Sequence, residues 1–255
     1  MNSNITLNKA KFRFYEELND FLPQKKKKKL FIHSFECNPS IKDVIESMGV
    51  PHTEIDMILV NGSSVNFSYQ LKDKDVVSVY PVFESLDISN VTHLREQPLR
   101  EPKFILDVHL GRLARYLRMF GFDTLYENNY CDSDIIKLSN EQKRTILTRD
   151  LGILKNSKVT HGFWIRSQEP MEQLKEVIVR SDLINLIIPF HRCSECNGII
   201  KNAKNNSVID NLKHGTKKYF NEFFQCESCG KVYWKGSHFK KMSNLIENLR
   251  SNYKL

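Results

Sequence analysis

At 255 residues, 40% hydrophobic and 27% charged, the chain has the size and composition of a soluble globular protein with two or three small domains. No apolar run reaches the length of a membrane-spanning helix, and the N-terminal stretch MNSNITLNKAKFRFYEE lacks the apolar core of a secretory signal, so synthesis in the cytosol is expected. The net charge of +8 is uneven: residues 1–90 carry 11 basic and 12 acidic side chains, residues 91–190 carry 15 and 13, and residues 191–255 carry 12 and 5. A basic C-terminal quarter favours a polyanionic partner, although a solvated surface explains the same charge.

In chain order, KAKFRFY and LFIHSFE alternate apolar and polar residues and read as strands. Between them lies the run Lys25–Lys29, a solvated loop by self-repulsion, with nucleic-acid contact as the alternative. SIKDVIESMG is a short helix capped by Ser40 and ended by Gly49. IDMILVNG is a strand leading into a turn at Asn61-Gly62, and DVVSVYPVF is a closing strand. Strand, strand, helix, strand, strand is the order of a ubiquitin-like β-grasp domain, here residues 7–86. Carriers of that type end in Gly-Gly, whereas this strand runs on through Pro81-Val82-Phe83-Glu84-Ser85. A binding or packing module, with a protein partner, is therefore expected. Residues 87–101 are polar, contain Pro98 and read as a linker.

From residue 102 the pattern alternates strand and helix. KFILD, GFDTLY, RTILTRD and HGFWIRS read as strands. HLGRLARYLRMFG, DSDIIKLSNEQ (capped by Asp132 or Ser133), LGILKNS and EPMEQLKEVIVRSD (opened by Pro170) read as helices. Such alternation argues for a parallel sheet covered by helices, over residues 102–188.

Asp107 and Asp150 end two of these strands, where the crevice of a parallel sheet binds ligands. Carboxylates gathered there repel one another, and Mg²⁺ or Mn²⁺, which prefer oxygen ligands, relieve the repulsion. Asp134 or Asp132 could supply a third ligand, and Asp123 is a weaker fourth. Strand-end acids and helix caps are the competing explanation. On the helix after Asp107, Leu110, Leu113 and Leu117 share one side, and Arg112, Arg115 and Arg118 share another. The leucines are core. The arginines form either a solvated face or a phosphate-binding row, to which Arg149 could add.

Cys193-Ser-Glu-Cys196 and Cys226-Glu-Ser-Cys229 are two knuckles separated by 29 residues, each followed by a glycine, Gly198 and Gly230. Four thiolates close the tetrahedron of a structural Zn²⁺ and leave no position for water. The loop between them carries Lys201, Lys204, Lys213, Lys217 and Lys218. His191 and His238 flank the site as surface residues. Tyr233 and Trp234 either pack under the ribbon or stack on bases. Cys37 and Cys131 are expected to be inert in a reducing compartment.

These strings together resemble the Mut-seven C-terminal RNase family: FILDVHLGRLARYLRMFGFDT, ILTRD and PFHRCSECNG…CESCGKVYWKGSH match its motifs, and GVPHTEIDMILVNG with DVVSVYPVF resembles the ubiquitin-like domain fused ahead of it. The resemblance implies an α/β protein: a β-grasp domain, a PIN-like nuclease domain and a zinc ribbon with a C-terminal helix over residues 189–255. It implies hydrolysis of RNA with Mg²⁺ or Mn²⁺ at Asp107, Asp150 and Asp132 or Asp134. Thr148 would be the threonine of the threonine–x–aspartate motif. The rival expectation is an RNA-binding adaptor, associated with a ribosome or tRNA, whose nuclease pocket is weak or inactive.

Overall fold

The computed structural model describes residues 7–82, 94, 101–203, 220 and 222–252. Residues 87–93 and 95–100 of the expected linker, Phe83 to Ser85, and Lys204, Lys213, Lys217 and Lys218 lie outside these residues, as does the side chain of His238.

The strands are β1 (Asn8–Phe14), β2 (Phe31–Phe35), β3 (Ile55–Val60), β4 (Ser63–Ser64), β5 (Val76–Pro81), β6 (Lys103–Leu106), β7 (Asp123–Leu125), β8 (Thr145–Thr148), β9 (Gly162–Trp164), β10 (Ile200–Asn202), β11 (Phe223–Cys226) and β12 (Val232–Trp234). The α-helices are α1 (Ile41–Ser47), α2 (Gly111–Met119), α3 (Asp132–Gln142), α4 (Leu151–Lys155), α5 (Pro170–Arg180) and α6 (Ser237–Asn252). They fall into two compact units, one of residues 1–100 with 150–164, the other of 101–149 with 165–255.

In the first unit, β1 buries Ala10, Phe12 and Phe14 and exposes Lys9, Lys11 and Arg13, the period of a strand with one face on a core. It pairs antiparallel with β2 and parallel with β5, giving the mixed order β2-β1-β5-β3-β4 of a ubiquitin-like β-grasp. Helix α1 lays Ile41, Val44 and Ile45 on the core shared with Phe12, Phe14, Ile58 and Val79. Each such buried side chain contributes about 1.5–3 kcal/mol. Ser40 caps the helix, its Oγ accepting from Asp43 N at 3.1 Å. Asn61 (φ 51°) and Gly62 (φ 86°) both take left-handed backbone and turn β3 into β4 as a two-residue hairpin loop.

Residues 150–164 belong to this unit. Helix α4 and strand β9 pack on the 3₁₀ turn His52–Glu54. Asp150 caps α4, its Oδ1 accepting from Gly152 N at 2.6 Å.

In the second unit β6 lies between β7 and β8, parallel to both, with Phe104 opposite Thr124 and Thr145. Phe104, Ile105 and Leu106 are all buried, as a parallel strand covered on both faces requires. Helix α2 packs against α5, bringing Leu113, Ala114 and Leu117 together with Leu174, Val177 and Ile178 in the interior. Helix α3 has Cys131 as its cap instead of Asp132 or Ser133. The backbone N–H and thiol of Cys131 reach Asp134 Oδ2 at 3.2 and 3.0 Å, so the acid at the third helical position completes a capping box. Gly121 (φ 98°) ends the α2 turn where a Cβ would stand 2.3 Å from Ile188 O. Ile188 N and Phe190 N donate to Phe120 O and Met119 O, tying the chain entering the ribbon to the end of α2. The ribbon is the antiparallel sheet β10-β11-β12. Met242, Ile246 and Leu249 form the buried stripe of α6.

Candidate functional site

The two cysteine knuckles converge. Tight turns place Cys193 N on Gly198 O at 2.8 Å and Cys226 N on Lys231 O at 2.9 Å, and β10 pairs Ile200 with Cys226. One ligand atom from each of Cys193, Cys196, Cys226 and Cys229 lies within 4.8 Å of all the others. Cys193 and Cys229 are 3.6 Å apart, and Cys196 and Cys226 are 3.4 Å apart. Zn–S bonds of about 2.3 Å give a tetrahedron with edges of about 3.8 Å, so the donor set fits Zn²⁺ after small adjustments. Burial raises the Cys193 thiol, but hydrogen bonds from Tyr233 and from the backbone of Cys196 and Glu195 outweigh it and bring it to about 7. Burial, with proton sharing among the other thiols, pushes Cys196 up to about 12. Four thiols this close do not all ionise without a cation among them.

The glycines after the knuckles have different reasons. Gly230 takes φ 71°, whereas a Cβ on Gly198 would stand 2.4 Å from Ser228 Oγ and 2.9 Å from Cys226 Sγ. Tyr233 packs against the cysteine cluster with its Oη 3.0 Å from Cys193 Sγ, accepting from Ser194 N at 3.0 Å. Trp234 is partly exposed and His191 is exposed.

Asp107 stands directly after β6, buried at 7% exposure. Its backbone N–H donates to Leu147 O at 3.1 Å, which continues the β6–β8 pairing to the strand end. Thr148 Oγ1 donates to Asp107 Oδ2 at 2.9 Å. Oδ1 accepts from no described residue. Asp132 and Asp134 sit exposed in the first turn of α3, with Asp134 engaged by Cys131. Among the described residues, the cysteines are the one group of three or more His, Cys, Asp and Glu residues whose ligand atoms all lie within 4.8 Å of each other. Asp107, Asp132 and Asp134 are therefore not gathered in that sense.

The arginine row divides. Arg112 and Arg115 are exposed, with Arg115 3.4 Å from Glu195. Arg118 differs from the expected solvated or phosphate-facing position: it is 4% exposed. Its guanidinium donates to the carbonyls of Thr124 (2.9 Å), Glu195 (2.6 Å), Tyr126 and Ser194. The 100° helical step gave its direction but not the carbonyls waiting there. Arg149 likewise donates to the carbonyls of Ile165, Arg166 and Ser167. A cleft of about 510 Å³ opens beside Val108, the residue after Asp107, with His109, Arg112, Arg115, Tyr126 and Gln173 on its walls.

Sequence reasoning missed a network around Asp123. Its Oδ1 accepts from Arg144 at 2.7 Å and from Asn197 Nδ2 at 2.8 Å, and Oδ2 lies 3.3 Å from Arg192. Asn197 Oδ1 returns a bond by accepting from Thr124 N at 3.1 Å. The carboxylate is thus a staple between β7, β8 and the first cysteine knuckle, and both oxygens are occupied by donors. The only sequence hint was an acid in a strand with unpaired arginines elsewhere.

The molecule is an α/β protein with a β-grasp module and a parallel sheet stapled to a cluster of four cysteines that could hold a metal ion. The family model described as Mut7-C RNAse domain matches residues 102–246, and the one described as Mut7-C ubiquitin matches residues 7–87. The first match alone spans more than half the chain, which belongs to the Mut7-C RNAse domain family. No curated protein and no solved structure matches.

Proposed function

We propose that the chain is a metal-dependent ribonuclease whose PIN-like acidic site is centred on Asp107. The observation that carries this reading is the carboxylate of Asp107, buried at a parallel strand end and fixed through one oxygen by Thr148, with the other oxygen accepting from no described residue. A carboxylate so placed is a suitable oxygen ligand for a hard cation. Asp150, two residues after Thr148 in the chain, is the second ligand of the proposal. Asp134 or Asp132 is the third, Asp134 being engaged by Cys131 through Oδ2 only.

Mg²⁺ or Mn²⁺, when bound, would supply charge neutralisation at a phosphoryl oxygen and acidify a water. The chain's own residues orient the RNA. Arg112 and Arg115 line the cleft beside Val108 and can hold backbone phosphates. Arg118, also on the cleft wall, ties that wall together by donating to the carbonyl of Glu195, and Arg149 holds the chain at Ile165 to Ser167. Cys193, Cys196, Cys226 and Cys229 would hold Zn²⁺, which would fix the ribbon, and the basic surplus of that region would add sequence-independent affinity for RNA. The first unit offers a surface for a protein partner. The cytoplasm is the proposed compartment.

The test is cleavage of a single-stranded RNA with and without Mn²⁺ by the wild type, Asp107→Asn and Asp150→Asn, with RNA affinity measured in parallel. Metal-stimulated cleavage lost in both variants while binding persists supports the nuclease. RNA binding with no metal-stimulated cleavage by the wild type replaces it with the adaptor reading.

A further inference from the structure

Residues 150–164 lie inside the stretch matched by the RNase family model but pack within the β-grasp unit. Four contacts hold them there. His52 bridges, with Nδ1 2.6 Å from Glu46 Oε1 and Nε2 2.8 Å from Val159 O. Lys155 Nζ donates to Glu46 O at 2.9 Å, from the end of α4 to the end of α1. Trp164 N donates to Glu54 Oε1 at 2.6 Å. The ring of Phe21 meets that of Trp164 at 5.0 Å between centroids. His52 and Glu54 are buried, at 7% and 0% exposure, so these bonds are made out of water, where an unmet partner is expensive.

From this geometry we propose that the β-grasp module is a positioning device for Asp150, holding the segment that this acid begins. The inference rests on the nuclease reading, in which Asp150 is a metal ligand. Asp150 caps α4, and α4 is only five residues long, too short to be stable alone. It packs on the His52 turn, and Lys155 at its far end and Val159 just beyond are both held by α1 and that turn. The module thus has a task within its own unit, holding residues 150–164, that needs no Gly-Gly terminus. His52, Glu54 and Lys155 are positioning residues and touch no substrate.

The experiment compares full-length wild type with His52→Ala, Lys155→Ala and Glu54→Gln. Three quantities are measured: kcat and KM for RNA, Mn²⁺ affinity by electron paramagnetic resonance, and hydrogen exchange of residues 150–164. Gln keeps the oxygen that accepts from Trp164 N, so Glu54→Gln should perturb all three quantities less than His52→Ala does. His52→Ala and Lys155→Ala should quicken exchange in the segment, weaken Mn²⁺ binding and lower kcat by about 10-fold or more, the usual scale for residues that orient a metal ligand, with KM little changed. Quickened exchange with kcat and Mn²⁺ affinity at wild-type values overturns the inference and leaves the nuclease standing. A variant that fails to fold is replaced by Phe21→Leu, which loosens the Trp164 contact and is held to the same outcomes. Wild type that neither cleaves RNA nor binds Mn²⁺ overturns both.

Discussion

Thr148 Oγ1 donates to Asp107 Oδ2 at 2.9 Å, joining the ends of two neighbouring parallel strands through one buried hydrogen bond. Thr148→Val keeps the shape and removes the donor. Stability should fall by about 1–3 kcal/mol, the cost of leaving a buried acceptor unmet. Metal-dependent cleavage should fall by about 10–100-fold, as for other groups that orient a metal ligand. Thermal melting and a Mn²⁺ titration of cleavage measure the two, and cleavage at the wild-type rate would show that Thr148 does not orient the acid.

Arg112 and Arg118 sit six residues apart on one helix and should behave oppositely. Arg118→Met removes several charge-assisted bonds to carbonyls of β7 and the first knuckle. It should destabilise the second unit by about 2–4 kcal/mol. Arg112→Ala should leave melting within about 0.5 kcal/mol and weaken RNA binding with a shallower salt dependence. Equal effects of both variants on melting would remove the distinction.

Burial alone would raise the carboxyl of Asp123, but Arg144, Asn197 and Arg192 hold it below the ordinary carboxylate range. A folded-state value below the unfolded one stabilises above the unfolded value and is lost as pH falls through the folded one. The network's contribution should therefore be full at neutral pH and decline below about pH 4. Asp123→Asn should cost about 3–5 kcal/mol at pH 7, because Arg144 is left buried without its charge partner. The difference between variant and wild type should shrink in acid. A pH series of denaturant melts checks this, and a difference that grows in acid would contradict it.

Gly121 offers a steric test. Gly121→Ala places a Cβ 2.3 Å from Ile188 O at a left-handed residue. It should cost at least about 1 kcal/mol from the backbone conformation, with more from the displaced carbonyl. Accelerated hydrogen exchange at Ile188 and Phe190 would locate the damage, and unchanged melting would exclude the close approach.

Removing zinc should act on one unit only. The cysteine cluster and its packing partners Ile200, Phe224 and Tyr233 belong to the second unit, while Phe12, Phe14, Ile58 and Val79 form a separate core in the first. Chelation, or Cys193→Ser, should unfold the ribbon and leave the β-grasp transition in place, visible as two separated melts. A single unchanged melt after zinc release would refute a structural role.

What could be read from the sequence follows the range of the forces involved. The alternation of β1, the Ser40 cap, the Asn61-Gly62 turn and the leucine face of α2 are set within a few residues, and the structure has them where the pattern put them. Strand β4 and the 3₁₀ turn Glu16–Phe21 are too short to leave a period. The knuckles were legible because thiolate chemistry fixes their spacing. The role of Arg118 depends on carbonyls 76 and 77 residues away, and that of His52 on a carbonyl 107 residues away. No local pattern encodes such partners. Asp123 had chemistry suited to a metal and was taken up by two guanidinium groups from other strands and loops.

The most direct measurement is anomalous scattering from crystals of the full chain soaked in Mn²⁺ and recorded at the manganese edge. Manganese bound by the carboxylates of Asp107 and Asp150, and absent after Asp107→Asn, is the result expected of the proposed nuclease. A zinc signal at the four cysteines with no manganese at Asp107 would contradict it.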